Sequence, residues 1–334
     1  MVFRSDGEAS VALARPVDPL DRFLELRAAL DLVGGIFRDR NAPRLAASVL
    51  LDVEGAPREI AAEIDRRQAV LGKELGFFSM VAAPLRFVLA GVLYRRGVEP
   101  REFARAFLVA RREFRRQRVR RSEVHELLAF TLLSGRWGID AELEEPVARM
   151  QAIFRGLRRR HFWITGSSDL AACASLSRRL GDADAIAAEV DACYRQLRRH
   201  LRWWRGQSLH RAAQILALSG VEPETAAQRA EAVRAALRRQ GYKVGVGDYT
   251  NVALLCFLAV PVEKLVGRVN LFAAKIQRTQ GIFFGQHAAF NLGVNLAFTQ
   301  MLQGNTDLAH LAEVKALLDM NAILEAQSAG AAAT

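Results

Sequence analysis

The sequence predicts an all-α protein: a right-handed superhelix of stacked helical hairpins, α-solenoid-like, with internally duplicated units and no β-sheet. Three observations carry that expectation. Large apolar residues recur at helical spacing, period-two alternation bounded by turn residues is scarce, and short peptides return in the same order at nearly constant shifts.

The 334 residues are 51% apolar and 25% charged with 9 prolines, which excludes a disordered, collagen-like or disulfide-stapled chain and is ample for a continuous core. We expect a disordered N-terminal arm at 1–19, one helical-repeat domain at 20–327 and a disordered Ala/Gly/Ser tail at 328–334. The arm has an acidic pair and no apolar run, so it reads as neither a signal nor a transit segment. The longest apolar stretches, Met80 to Tyr94 and Val252 to Val262, are shorter than the roughly 20 residues a bilayer span needs. Cys173, Cys193 and Cys256 are too scattered for a disulfide framework or a zinc site and point to a reducing cytoplasm.

In chain order, helices are expected near 20–38, 43–52, 57–76, 80–95, 100–117, 122–134, 142–160, 169–179, 183–204, 207–218, 223–240, 248–259, 262–279, 285–303 and 306–326. The helix from 57 carries Ile60, Ile64, Leu71 and Leu75 at i, i+4, i+11 and i+15, one helical stripe. Its hexapeptide IAAEID at 60–65 returns as IAAEVD at 186–191, and the stripe returns as Ile186, Val190, Leu197 and Leu201, all at a shift of 126. The aromatic pair Phe77-Phe78 matches Trp203-Trp204 at that shift, and GVEP at 97–100 recurs at 220–223. A third copy follows at a shift of 79: Asp169 matches Asp248, Val190 matches Val269, Leu197 matches Ile276, and Gly206-Gln207 matches Gly285-Gln286. Duplicated units are therefore expected over about 41–134, 166–240 and 245–326. Asp169 and Asp248 sit where a side-chain oxygen can accept from the first free N–H groups of a helix, and Pro100 and Pro223 suit a first turn. No such helix buries its stripe alone, so neighbours must stack.

The aromatic helix end followed by Gly-Gln (Trp203-Trp204-Arg205-Gly206-Gln207), the Gly-Val-Glu-Pro turn and the Gly-x-Gly-Asp-Tyr start at 245–249 resemble a bacterial helical family catalogued as domain of unknown function 4003. The similarity covers about residues 140–305, and the N-terminal half departs from it with Phe-Phe-Ser-Met at 77–80 in place of Gly-Gln. The resemblance implies an all-α architecture and no catalytic residues.

Charge is the strongest functional signal. The net charge is +11, and 42 of the 47 basic residues are arginine. The field of such a chain attracts polyanions: an acidic protein, nucleic acid or an anionic membrane surface. The densest run, RREFRRQRVRR, supplies Arg111, Arg112, Arg115, Arg116, Arg118, Arg120 and Arg121, extending a helix whose apolar stripe is Phe103, Phe107 and Phe114. Arginine forks match phosphate oxygens, but a solvated helix C-terminus also favours positive charge. A second set, Arg195, Arg198, Arg199 and Arg202, shares its helix end with Trp203-Trp204, where interleaved aromatics can stack bases or simply pack in the core. The repeated Gly-Gln pairs with nearby histidines make Gln207, His210, Gln286 and His287 possible ligand contacts in a groove, or closers of a helix N-terminus.

Catalytic templates are absent: there is no HExxH, GxSxG or Walker loop, and Asp182-Ala-Asp184 reads as a turn and cap rather than a Mg²⁺ box. The expectation is a non-catalytic, cytoplasmic protein without cofactor or metal that binds an acidic macromolecular partner through a basic, groove-forming surface. The alternatives are sequence-independent nucleic-acid binding and reversible docking on anionic membranes through the Phe-rich basic helix.

Overall fold

The computed structural model describes residues 18–33, 41–76, 79–119, 122–139, 141–201, 206–280, 286–301, 314–317 and 319. Helices occur in the order α1 (Pro19–Val33), α2 (Asn41–Val49), α3 (Pro57–Leu75), α4 (Ala83–Arg95), α5 (Pro100–Arg116), α6 (Glu123–Trp137), α7 (Glu144–Arg160), α8 (Leu170–Leu176), α9 (Ala183–Leu201), α10 (Gln207–Leu218), α11 (Pro223–Arg239), α12 (Tyr249–Leu255), α13 (Val262–Gln280) and α14 (Gln286–Met301). No strand occurs among the described residues. The expected N-terminal arm up to residue 17, the C-terminal tail and most of a helix near 306–326 lie outside them.

Local chemistry explains the starts. Proline occupies the first turn of α3, α5 and α11, where its missing N–H costs nothing. Asp182 accepts from the amides of Asp184 (2.8 Å) and Ala185 (3.0 Å), so this pair is the turn and cap its sequence suggests. Asp169 and Asp248 differ from expectation. Each sits three residues inside a short 3₁₀ turn and accepts backwards from the amide of Gly166 (2.7 Å) or Gly245 (2.8 Å). The repeat spacing is visible in the element bounds: α3, α9 and α13 each have 19 residues, α8 and α12 each have 7, and α7 and α11 each have 17.

Packing follows two concentric series. The odd-numbered helices pack in sequence from α1 to α13, while the even-numbered ones run α2 on α4 and then α6 through α8, α10 and α12 to α14. Each odd helix also pairs with the even helix that follows it. The stack closes on itself: α14 packs on α1, and Lys275 of α13 reaches Asp18 at 2.6 Å and Asp21 at 3.6 Å. Even helices form the inner layer, as their composition requires. Every residue of α8 is buried, and α4 is buried from Phe87 to Leu93, whereas α5 and α9 carry polar outer faces.

Arginine is a structural element here. Arg22 of α1 donates to the carbonyls of Val53 (2.7 Å) and Gly55 (3.0 Å). Arg149 of α7 grips Ser177 (2.9 Å) and Arg179 (2.5 Å), and Arg229 of α11 grips Cys256 (3.1 Å), Leu258 and Val260 (2.9 Å). These are corresponding loops between a short inner helix and the long outer helix after it. Carbonyls left over at a helix C-terminus need donors, and a guanidinium fork supplies several at once. Arg67, Arg96 and Arg179 act alike on the carbonyls of Val98, Thr131 and Ala217.

Candidate functional site

The structure divides the basic residues into engaged and free. Arg111 pairs with Glu126 (3.0 Å) and Glu123 (3.2 Å), Arg116 with Glu113 and Glu144 (2.8 Å each), and Arg195 with Asp191 (2.7 Å). Arg112, Arg115, Arg118 and Arg199 are exposed, Arg198 is half-buried, and none of the five makes an ion pair among the described residues. Arg120, Arg121, Arg202 and the Trp203-Trp204 pair lie outside those residues. The free arginines belong to outer helices: α5 offers Arg112 and Arg115 beside Leu108 (45% exposed) and Val109 (61%), while Phe103, Phe107 and Phe114 point inward and are fully buried.

The end of α5 is unusual. Val119 N donates to Phe114 O at 2.8 Å across a turn that requires a left-handed residue, and Arg118 occupies that position at φ 60°. The same turn after α11, with Tyr242 N on Leu237 O at 3.0 Å, uses Gly241 at φ 84°. Arg118 is the only described non-glycine residue with positive φ.

The Gly-Gln and histidine residues differ in burial and in partners. Gln207 donates to Ser168 Oγ (3.2 Å) and approaches Asp169 (3.4 Å), closing the start of α10. His210 is fully buried. Gln286 is exposed at the start of α14, and His287, with its side chain 69% exposed, has Nδ1 3.1 Å from Tyr242 Oη and 3.4 Å from Asp248 Oδ1.

Around His210 the fold assembles a cluster that single-residue reading of the histidines missed. His210 Nδ1 lies 3.3 Å from Asp169 Oδ1, which also accepts from Gln214 at 2.7 Å. His161, just past α7, packs its ring against Tyr194 (4.7 Å) and His210 (5.1 Å), with Nε2 3.1 Å from Asp191 Oδ1 but off the hydrogen-bond axis. Burial and the neighbouring His210 push the His161 pKa down, against the pull of Asp191. Burial alone would raise the Asp169 carboxyl, yet the His210 contact and the donors Gly166 and Gln214 hold it below the usual carboxylate range. The carboxylate orients His210 as in acid–base sites, but Nε2 is buried without a partner, so solvent does not reach it. The signal available in sequence was Gln207-x-x-His210-x-x-x-Gln214, one helical face aimed at the Asp169 turn.

Other reactive groups are quiet. Burial pushes the Cys193 and Cys256 thiols up to about 12. Among the described residues no group of three or more His, Cys, Asp or Glu side chains is placed to hold a metal, and no helix is long and apolar enough to cross a membrane.

Fold and site together define an all-α ring of packed helices with exposed arginines on α5 and α9 and a buried carboxylate–imidazole cluster. The chain belongs to the family described as a protein of unknown function, DUF4003, which matches residues 53–329. The match is wider than the 140–305 that the sequence motifs suggested and takes in the Phe77 to Met80 stretch, where Gly-Gln is missing. No curated protein and no solved structure matches the chain.

Proposed function

We propose that this protein is a cytoplasmic, non-catalytic helical-repeat scaffold that binds an acidic protein partner on the outer face of α5 and the turn that ends it. The observation that carries the reading is Arg118. A left-handed backbone costs a side-chain-bearing residue about 1 kcal/mol or more relative to glycine, and the equivalent turn after α11 has glycine. An arginine kept at such a position, with no ion pair among the described residues, is strain in exchange for a fixed outward charge. Arg112 and Arg115 flank the exposed Leu108 and Val109, so the surface combines charge with apolar area, as docking of an amphipathic acidic segment needs. These residues are exposed on one helix and the turn that ends it, so the proposed surface is a helix face.

The test separates binding from folding. Arg118→Gly should raise stability by about 1 kcal/mol in urea denaturation while weakening retention of an acidic protein from native lysate at low salt. Arg112→Glu with Arg115→Glu should abolish retention. If wild type retains no protein, or both variants retain it equally, the reading fails.

A second reading has its own observation. Trp163 is 92% exposed just beyond α7, beside Arg158, whose guanidinium lies 5.2 Å over the Phe162 ring. Exposed aromatics next to arginine suit base stacking. Affinity for single-stranded RNA that falls steeply with salt and is lost in Trp163→Ala would favour it, and a flat log K against log salt would remove it. The membrane alternative loses its motivation, because the α5 phenylalanines are buried; co-sedimentation with anionic liposomes would restore it.

A further inference from the structure

Among the described residues His287 is the only exposed histidine, and the fold holds it from behind. It sits in the first turn of α14 with its side chain 69% exposed. Its Nδ1 lies 3.1 Å from Tyr242 Oη and 3.4 Å from Asp248 Oδ1. Both partners are fixed. Asp248 is 1% exposed and accepts from the amide of Gly245 at 2.8 Å, while the buried Tyr242 ring stacks on Phe290 of α14 with centroids 4.0 Å apart.

These contacts settle which ring nitrogen carries the hydrogen. The Tyr242 hydroxyl is hydrogen-bonded to Asp248, and burial together with that carboxylate pushes the phenol pKa up, so it keeps its proton. With its one hydrogen given to Asp248, Tyr242 Oη can only accept from the imidazole, and Asp248 Oδ1 is an acceptor as well. Nδ1 therefore holds the hydrogen, and the lone pair of the neutral ring is on Nε2, the nitrogen left to solvent. Tyr242 and Asp248 are the partners of this ring among the described residues, and no Ser, Thr or Cys side chain is bonded to it. His287 thus has no neighbouring nucleophile to activate and is itself the nucleophile. An electrophile taken up on Nε2 turns the ring into an imidazolium, whose charge the Asp248 carboxylate stabilises. A phosphoryl group suits the place best, because the free N–H groups at the start of α14 favour an anion.

We propose that His287 is a phosphoryl-acceptor histidine, modified on Nε2 by an N-phosphoryl donor of the phosphoramidate class. The Nε2 lone pair attacks phosphorus and the P–N bond of the donor breaks. Its electron pair leaves with the donor nitrogen, which solvent protonates to ammonia. Nδ1 keeps its hydrogen throughout, held by Tyr242 and Asp248 as positioning residues. The site is independent of the α5 surface, so either can fail without the other.

The experiment treats the full chain with potassium phosphoramidate at neutral pH and follows intact mass and phosphorus NMR, which separates the two ring isomers. An acid-labile phosphoryl group should form on Nε2 of His287 about tenfold faster than on N-acetylhistidine, the factor that a hydrogen bond to a charged group supplies. Asp248→Asn keeps an acceptor for the Gly245 amide but removes the charge, so the rate should fall about tenfold. Should Asp248→Asn fold poorly, Tyr242→Phe, which keeps the stack on Phe290 and deletes the hydroxyl, should slow the reaction as well. A histidine that is merely exposed would react like N-acetylhistidine and ignore both variants. The proposal is overturned by that result, by a phosphoryl group spread over other histidines, or by formation of the Nδ1 isomer.

Discussion

Residues 144–218 and 223–301 contain the same elements in the same order, and the short helices, the long outer helices and the Gly-x-x-Asp turns fall 79 positions apart. Their surroundings differ. At the first turn, Asp169 meets the buried His210 and Gln214; at the second, Asp248 meets the exposed His287 and, directly, Tyr242. The two histidines do not correspond, since the position matching His210 is Ala289 and the one matching His287 is Ser208. What the two segments share is a backbone device, an aspartate that ties down the turn before a short inner helix. The imidazoles are separate additions to it. The aspartate therefore belongs to the fold, and chemistry has to be sought in what differs.

That comparison can be broken most sharply at the aspartates. Asp169→Ala removes the turn's acceptor and strands His210, Gln207 and Gln214 in the interior, a loss of about 3–5 kcal/mol as for a broken buried pair. Asp248→Ala loses the same turn bond and the contact with Tyr242 but leaves His287 in water, so about 1–2 kcal/mol is expected. Urea denaturation of both variants measures the difference. Equal losses would mean that the buried cluster adds nothing beyond the cap.

The second contrast concerns packing at corresponding positions. Where α10 has room for Gln214, α14 has Gly293, and a Cβ there would meet Val269 O at 2.8 Å and Ala273 N at 3.2 Å. Both obstacles are backbone, so α13 and α14 would have to separate. Gly293→Ala should cost about 2 kcal/mol, whereas Gln214→Ala, which loses one donor to Asp169, should cost about 1 kcal/mol. A neutral Gly293→Ala would show that the two helices have slack.

Much of this architecture was readable in advance, for physical reasons that also mark where reading stopped. The long helices were legible because Ile186, Val190 and Leu197 repeat the stripe of Ile60, Ile64 and Leu71, and all six are buried. Proline fixed several of their first residues. The ring was not legible, because α14 meets α1 and Lys275 meets Asp18 across 257 positions, and no local pattern encodes those meetings. The arginine run looked like one site, but the structure splits it: Glu123, Glu126 and Glu144 neutralise Arg111 and Arg116 from neighbouring helices. The carbonyl-gripping arginines Arg22, Arg149 and Arg229 escaped notice, since a donor to main-chain oxygen leaves no sequence partner to pair with it. The Asn251–Asn291 pair escaped for a related reason: residues 40 positions apart on α12 and α14 become neighbours only when those helices pack.

The smallest expected effect tests the imidazoles themselves. His161 titrates below the ordinary histidine value in the folded chain, because burial and His210 oppose its charging. The unfolded chain therefore takes up a proton near pH 6.5 that the folded chain refuses. The resulting stability is fully present above that pH and is lost as pH falls toward the folded pKa, with a slope that for one site stays under about 1.4 kcal/mol per pH unit. Asp169 acts in a different window, since its lowered pKa contributes stability that disappears only below about pH 4. His161→Phe keeps the ring packing on Tyr194 and removes the titration. Its stability should change less than wild type between pH 7 and 5. If His161→Phe kept the full wild-type slope, the acid sensitivity would belong to another group, and the buried pair of imidazoles would be inert packing.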